Sequence, residues 1–248
     1  MYTQDKNLDK KCELHHAGIH KHQDCDLVHH HTIIEEIFCH LPYAILSVAI
    51  ALIFLSFVTT GQEFGKSILA YRLFHNFHFL HILFAATGTV LVFRRYSDNK
   101  ILALGVGFLV PSFFCTLSDA FLPYIGGKYI NLAMKFHWCF IQHLDAILPF
   151  LFAGIFNGWI MSSHPYSRRM FYSLGFHFAH IFISSMASVL YLISFGFYEW
   201  WEQIGFVFIY IVCATLIPCT LSDIVVPMFF ATIKCSKPKG VKNNHETH

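Results

Sequence analysis

The sequence predicts an all-α polytopic membrane protein whose six transmembrane helices form an inverted repeat of three plus three. Three observations predict this fold class. Of the 248 residues, 55% are hydrophobic and only 13% are charged, which is typical of membrane proteins rather than of soluble domains. Six mostly apolar runs are each long enough to cross a bilayer. A short motif also occurs twice, once in each half of the chain.

The six apolar runs give the predicted helices. They cover residues 37–58, 73–94, 101–123, 138–161, 171–195 and 204–231. The predicted organisation is a disordered His-rich tail (1–35), a first three-helix repeat (36–125), a second three-helix repeat (136–232) and a basic tail (233–248). The first run is too long for a cleaved secretory signal and has no short basic region directly before it, so we expect the protein to keep all six helices.

Lysines and arginines predict the orientation, because cytoplasmic loops carry an excess of both. Thirteen of the 17 fall in the two tails and in the second and fourth loops. The other face carries only Lys66, Arg72, Lys128 and Lys135. Both termini are therefore predicted to be cytoplasmic. The net charge of +2 and the lack of a basic stripe away from the membrane argue against a nucleic-acid partner. Lipid is the expected partner, and the sequence leaves oligomerisation open.

The repeated motif is Cys-Thr-Leu-Ser-Asp, at 115–119 and again at 219–223, and a proline follows four residues later in both copies. Upstream of it, residues 77–81 and 176–180 each contain two histidines three positions apart. A His-Leu pair opens each half of the chain, at 40–41 and 143–144. Because each repeat has three helices, the second copy must enter the membrane from the opposite side, as in many secondary transporters.

Ionisable groups inside membrane helices are costly and indicate function. Inverted topology predicts that these groups gather in two sets, one in each half of the membrane. The outer set is His78, His81, Asp119 and His143, and the inner set is His40, His177, His180 and Asp223. His75 and Asp145 belong to neither set, because Leu174 and Pro42 occupy the matching positions.

Three imidazole nitrogens and one carboxylate oxygen suit Zn²⁺, with Fe²⁺, Co²⁺, Ni²⁺ and Mn²⁺ as further candidates. Two histidines at i and i+3 lie on one helix face, and the aspartate neutralises part of the divalent charge. Cys115 and Cys219 are predicted to be thiolate ligands or supporting groups, and Ser118 and Ser222 are predicted to be supporting groups. Prolines 111, 123, 218 and 227 predict disturbed helices around the aspartates, either as kinks or as sites where freed carbonyls bind ions.

The N-terminal tail is rich in histidine and predicts weak, exchangeable metal binding on the cytoplasmic side. Its histidines are His15, His16, His20, His22, His29, His30 and His31. Cys12 lies just before these histidines and Cys25 lies among them. The eight cysteines of the chain follow no disulfide framework, so we expect mostly free thiols.

The predicted function is binding of a divalent transition metal within the bilayer, followed by its transport. One alternative is a b-type membrane cytochrome with two haems, in which His78 or His81 pairs with His143, and His177 or His180 pairs with His40. The aspartates and the spare histidine of each pair argue against haem. A second alternative is an intramembrane zinc hydrolase assisted by Ser118 or Ser222. The sequence leaves open which metal is bound, the direction of transport and the coupling ion.

Overall fold

The structure is a computed structural model that describes residues 33–59, 68–163, 170–195, 197 and 201–232. The His-rich tail and the basic tail lie outside these residues. The metal site predicted for the N-terminal tail, and the orientation predicted from the tail charges, therefore stay predictions.

Helices account for nearly all of the described residues. The first repeat contains α1 (Ile33–Thr59), α2 (Ile68–Tyr96), and α3 (Lys100–Thr116), which continues through a π-helical turn (Leu117–Phe121) into α4 (Leu122–Tyr129). The second contains α5 (Cys139–Gln142), α6 (Leu144–Ser163), α7 (Met170–Ser194), and α8 (Ile204–Thr220), which continues through a π-helical turn (Leu221–Val225) into α9 (Val226–Thr232). Five helical stretches are long and apolar enough to cross a membrane, and a shorter apolar segment, His40–Phe54, lies in α1. The predicted six-helix, all-α membrane fold is confirmed.

The bundle buries polar side chains and exposes apolar ones. His78, Asp119 and Ser184 are fully buried, whereas Ile101 and Phe156 are 86% and 67% exposed. A bilayer favours this distribution, because lipid contacts apolar side chains while polar groups find partners inside the bundle. The outer surface of the helices is therefore suited to contact lipid.

The helix contacts follow the internal repeat. The central helices α2 and α7 pack against each other, α2 also packs against α6, and α7 also packs against α1. In the alignment of the two repeats, α1 corresponds to α6 and α2 corresponds to α7. The contact of α2 with α6 is then the counterpart of the contact of α7 with α1. This contact pattern is the one expected of a pseudo-twofold relation between the repeats, with α2 and α7 at its centre.

Both repeated motifs end in a π-helical turn, and the proline that follows explains it. The ring of Pro123 would collide with the carbonyl four residues earlier in a regular α-helix. The turn widens instead, and the N–H of Leu122 donates to the carbonyl of Leu117. In this wider register the carbonyl of Ser118 would be paired with residue 123, but proline has no N–H. The hydroxyl of Ser188 on α7 donates to that carbonyl at 3.1 Å.

The second repeat has an equivalent π-helical turn before its proline. The N–H of Val226 donates to the carbonyl of Leu221, and Pro227 offers no N–H to the carbonyl of Ser222. The hydroxyl of Thr89 on α2 donates to that carbonyl at 3.0 Å. The disturbance predicted at Pro123 and Pro227 is therefore a π-helical turn in each repeat, and a hydroxyl of the opposite repeat pairs with the freed carbonyl of each turn. Such turns are frequent at functional sites. Pro111 and Pro218 lie inside the helices α3 and α8.

Candidate metal centre

A line of imidazoles and carboxylates runs along the interface between α2 and α7. At its centre, His81 Nδ1 donates to Asp119 Oδ2 at 2.7 Å, and His180 Nδ1 donates to Asp223 Oδ2 at 2.5 Å. The two remaining ring nitrogens, His81 Nε2 and His180 Nε2, face each other at 2.6 Å. All four side chains are buried, and exchange of the repeats maps each histidine–aspartate pair onto the other.

These hydrogen bonds place a hydrogen on Nδ1 of each ring. A carboxylate only accepts, so each Nδ1 carries the hydrogen and each neutral ring keeps a lone pair on Nε2. Two lone pairs at this distance repel unless a positive charge lies between them. A shared proton or a metal ion satisfies both. Histidines that bind a metal through one nitrogen usually donate the other N–H to a carboxylate or carbonyl, which is the arrangement of His81 and His180.

Cys219 completes a possible set of three ligands at this centre. Its Sγ lies 3.5 Å from His81 Nε2, and the ligand atoms of His81, His180 and Cys219 all lie within 4.8 Å of one another. Tetrahedral Zn²⁺ with its usual bond lengths separates bound nitrogen and sulfur by about 3.5 Å and two bound nitrogens by about 3.3 Å. The thiol is already at such a distance, and the two imidazoles would need to separate by about 0.7 Å. Cys115, the counterpart of Cys219 in the first repeat, is buried and interacts electrostatically with His81.

The structure groups the predicted ligands differently from the sequence-based sets. His81 was assigned to the outer set and His180 to the inner set, yet they are in direct contact. The reason is the start of α2, which begins at Ile68 rather than at residue 73. His81 therefore lies about 13 residues, or roughly 20 Å, along the helix and close to its middle. The two predicted sets are therefore joined at the centre of the bundle by the contact between His81 and His180.

His143 is the other departure from the predicted outer set. It lies at the junction of α5 and α6, before the first turn of the spanning helix. There it joins His75 and His137, and the ligand atoms of the three histidines lie within 4.8 Å of one another. The sequence analysis left His75 outside both sets. It gave no sign of His137, because only histidines inside membrane helices carry the energetic cost that indicates function, and His137 lies outside the helices. Burial, together with the His143 and His78 imidazoles, lowers the pKa of His137.

The remaining predicted histidines extend the central line toward both ends. His78 Nδ1 donates to Asp119 Oδ2 at 2.9 Å. On the other side, His177 Nδ1 lies 3.9 Å from Asp223 Oδ2, and the His177 and His40 rings meet edge to face at 4.9 Å between centroids. The histidines and aspartates of both predicted sets, together with His75 and His137, thus form one series through the bundle.

The two aspartates differ in how they are held. Asp119 Oδ1 accepts hydrogen bonds from Ser118 Oγ and from Ser184 Oγ, both at 2.8 Å. Within the described part of the chain, Asp223 Oδ1 and Ser222 Oγ are buried without a hydrogen-bond partner. Ala85 occupies the position on α2 that Ser184 occupies on α7. The sequence predicted equivalent roles for Ser118 and Ser222, but only Ser118 bonds its neighbouring carboxylate among these residues.

Gly88 allows the close approach of Asp223 to α2. A Cβ at this position would lie 2.9 Å from Asp223 Oδ2 and 3.0 Å from its Cγ. We expect Gly88→Ala to displace the carboxylate from His180 and to weaken zinc binding about 10-fold to 100-fold, the usual cost of disturbing a group that orients a ligand. Competition titration with a chelating dye measures the change. Gly105→Ala is the matched control, because a Cβ there meets nothing within 4 Å. Equal affinities in the two variants would contradict the expected role of Asp223.

Comparison with known proteins adds no functional assignment. No protein-family model, curated protein sequence or solved structure matches this chain.

Proposed function

We propose that this membrane protein binds a divalent transition-metal ion, Zn²⁺ above all, at the centre of its helix bundle and transports it across the membrane. The observation that supports the proposal best is the pair His81 and His180, whose Nε2 atoms face each other at 2.6 Å while their Nδ1 atoms donate to carboxylates. Imidazole and thiolate suit Zn²⁺, whereas Ca²⁺ and Mg²⁺ prefer oxygen.

Charge balance supports a divalent ion at this position. Asp119 and Asp223 are both buried and each is hydrogen-bonded to one of the central histidines. Two negative charges in a medium of low dielectric constant are unfavourable unless positive charge lies nearby. A divalent cation between His81 and His180 would neutralise two of the three negative charges that the two carboxylates and a Cys219 thiolate bring to the centre.

The position of the centre supports transport rather than purely structural binding. The central pair joins the two repeats, and inverted-repeat transporters bind their substrates at the interface between their repeats. His78 and His177 extend the series of ligand groups from the centre toward opposite ends of the bundle. Relative movement of the repeats would expose the centre to one side and then to the other, and protonation of the histidines would compete with the metal and promote its release.

The haem alternative predicts imidazole pairs with a macrocycle between them. In the structure His78 donates to Asp119, and the His143 ring packs against the His75 ring at 4.7 Å between centroids. His180 contacts both Asp223 and His81. The Nε2 of His180 therefore faces another imidazole rather than an iron. The contact of His78 engages Nδ1 and leaves Nε2 without a hydrogen-bond partner among the described residues. A Soret band in the purified protein would overturn the proposal.

The test uses cobalt and zinc in the full-length chain with its metal-binding tail neutralised. In this tail-substituted protein, the seven tail histidines become alanine, and Cys12 and Cys25 become serine. We expect bound Co²⁺ to show a thiolate-to-metal charge-transfer band, because Cys219 is a ligand. The band should disappear in Cys219→Ser and persist in Cys213→Ser, a matched control whose thiol is exposed on α8.

Transport is measured separately, in vesicles that contain a zinc-sensitive dye. The tail-substituted protein should accelerate zinc entry over protein-free vesicles, and Cys219→Ser should reduce that rate at least 10-fold. Metal binding without transport would contradict the transport half of the proposal. Failure to retain any metal after dialysis against a weak chelator would contradict both halves.

A further inference from the structure

We propose that His75, His137 and His143 form a second metal site, at the end of the bundle where α2 and α6 begin, which captures the ion before it reaches the centre. The capturing role rests on the proposed function, but the binding itself does not. The ligands are imidazoles alone, so the site would take Zn²⁺, Co²⁺ or Ni²⁺ in preference to Ca²⁺ or Mg²⁺.

The geometry of the three rings suits one ion. His75 Nδ1 donates to the carbonyl of Tyr71 at 2.8 Å, which leaves a lone pair on Nε2. That atom lies 3.1 Å from His137 Nε2, close to the separation of about 3.3 Å that two nitrogens on tetrahedral zinc require. The His143 ring lies 4.7 Å from the His75 ring and 5.4 Å from the His137 ring between centroids. Tyr71 Oη lies 3.4 Å from His137 Nε2.

The exposure of the site differs from that of the centre. His75 is buried, but His137 and His143 are only partly buried, whereas the central histidines and Cys219 are all buried. Three histidines that leave one position open are a common zinc arrangement, with water as the fourth ligand. A hydrated ion can therefore bind here while it still keeps a water molecule.

His78 connects this cluster to the centre. It lies one helical turn after His75 and interacts electrostatically with both His75 and His137. Its Nδ1 donates to Asp119, and its Nε2 is buried without a hydrogen-bond partner within the described ranges. An unpaired buried acceptor is unfavourable. A cation moving from the cluster toward Asp119 and His81 would find a ligand there.

Among the described residues, such a cluster occurs at one end of the bundle only. Leu174 occupies the position on α7 that matches His75, and His137 lies in the segment that joins α4 to α5. The symmetry that governs the centre therefore does not produce a second copy. A capture site at one end gives an otherwise symmetric carrier a preferred side for collecting its ion.

The test changes His75 to the residue that the second repeat carries at the same position. In the tail-substituted protein we expect about two bound Co²⁺ per chain. His75→Leu should reduce this to about one and keep the thiolate charge-transfer band, since the remaining ion lies beside Cys219. The KM for zinc entry into vesicles should rise at least 10-fold while the maximal rate is retained. Asn76→Ala, an exposed neighbour on the same helix, should change none of these values.

His137→Ala provides an independent variant, because residue 137 lies outside the helices and the substitution removes a different ligand. It should lower the cobalt content and raise the KM in the same way. Two ions retained in both variants, or loss of the charge-transfer band with the ion, would overturn the second site. Loss of one ion in variants of a protein that transports no zinc would support the site and overturn the transport half of the proposed function.

Discussion

His180→Ala is expected to abolish metal binding at the centre of the bundle. The substitution removes one of three ligands and leaves Asp223 buried without its hydrogen-bonded histidine. Removing a group that only orients a ligand costs about 10-fold to 100-fold in affinity, so removing the ligand itself should cost more than 100-fold. The charge-transfer band of bound Co²⁺ should disappear, and zinc entry should fall to the rate of protein-free vesicles.

His177→Ala is the matched control for this variant. His177 lies one turn earlier on the same helix, and its Nδ1 is 3.9 Å from Asp223 Oδ2, beyond hydrogen-bonding distance. We expect the charge-transfer band to persist in this variant. A band of equal intensity in His180→Ala and in the unsubstituted protein would contradict the central site.

Asp119→Ala is expected to destabilise the metal-free protein strongly, and Asp223→Ala less so. Asp119 accepts hydrogen bonds from His78, His81, Ser118 and Ser184, and all five side chains are buried. Breaking a buried charged network of this kind costs about 3–5 kcal/mol. Asp223 has one close hydrogen bond, from His180, and its Oδ1 has no partner among the described residues. Its loss should cost about 1–3 kcal/mol.

Thermal unfolding in detergent, with metal removed by a chelator, measures the difference. Ala85→Ser supplies a further check, because it places a hydroxyl on α2 where α7 carries Ser184. We expect this variant to raise the melting temperature by donating to Asp223 Oδ1. Equal melting temperatures of Asp119→Ala and Asp223→Ala would show that the hydroxyls around Asp119 contribute nothing.

Much of the fold could be predicted from the sequence, because the constraints of a bilayer are strong. Apolar runs of the right length predicted the spanning helices, and the repeated Cys-Thr-Leu-Ser-Asp motif predicted the paired aspartates. The structure places both aspartates beside histidines that the sequence had grouped with them. An internal repeat is informative because two copies of a costly arrangement are unlikely to be accidental.

The depth of each side chain could not be predicted as well. An error of five residues at the start of α2 displaces His81 by about 7 Å along the membrane normal. This error explains why the sequence predicted two separate sites, whereas the structure has a single contact between His81 and His180. The cluster of His75, His137 and His143 was missed for another reason, since it has no counterpart in the second repeat and depends on how the chain crosses between repeats.

The hydroxyls of Ser188 and Thr89 have a consequence for how the molecule can move. Each holds the widened turn of the opposite repeat through a backbone carbonyl, and the two bonds are equivalent. Both hydrogen bonds join one repeat to the other. Relative sliding of the two repeats must therefore break both bonds. Because each bond joins the two repeats, we expect a movement that breaks one of them to strain the other as well.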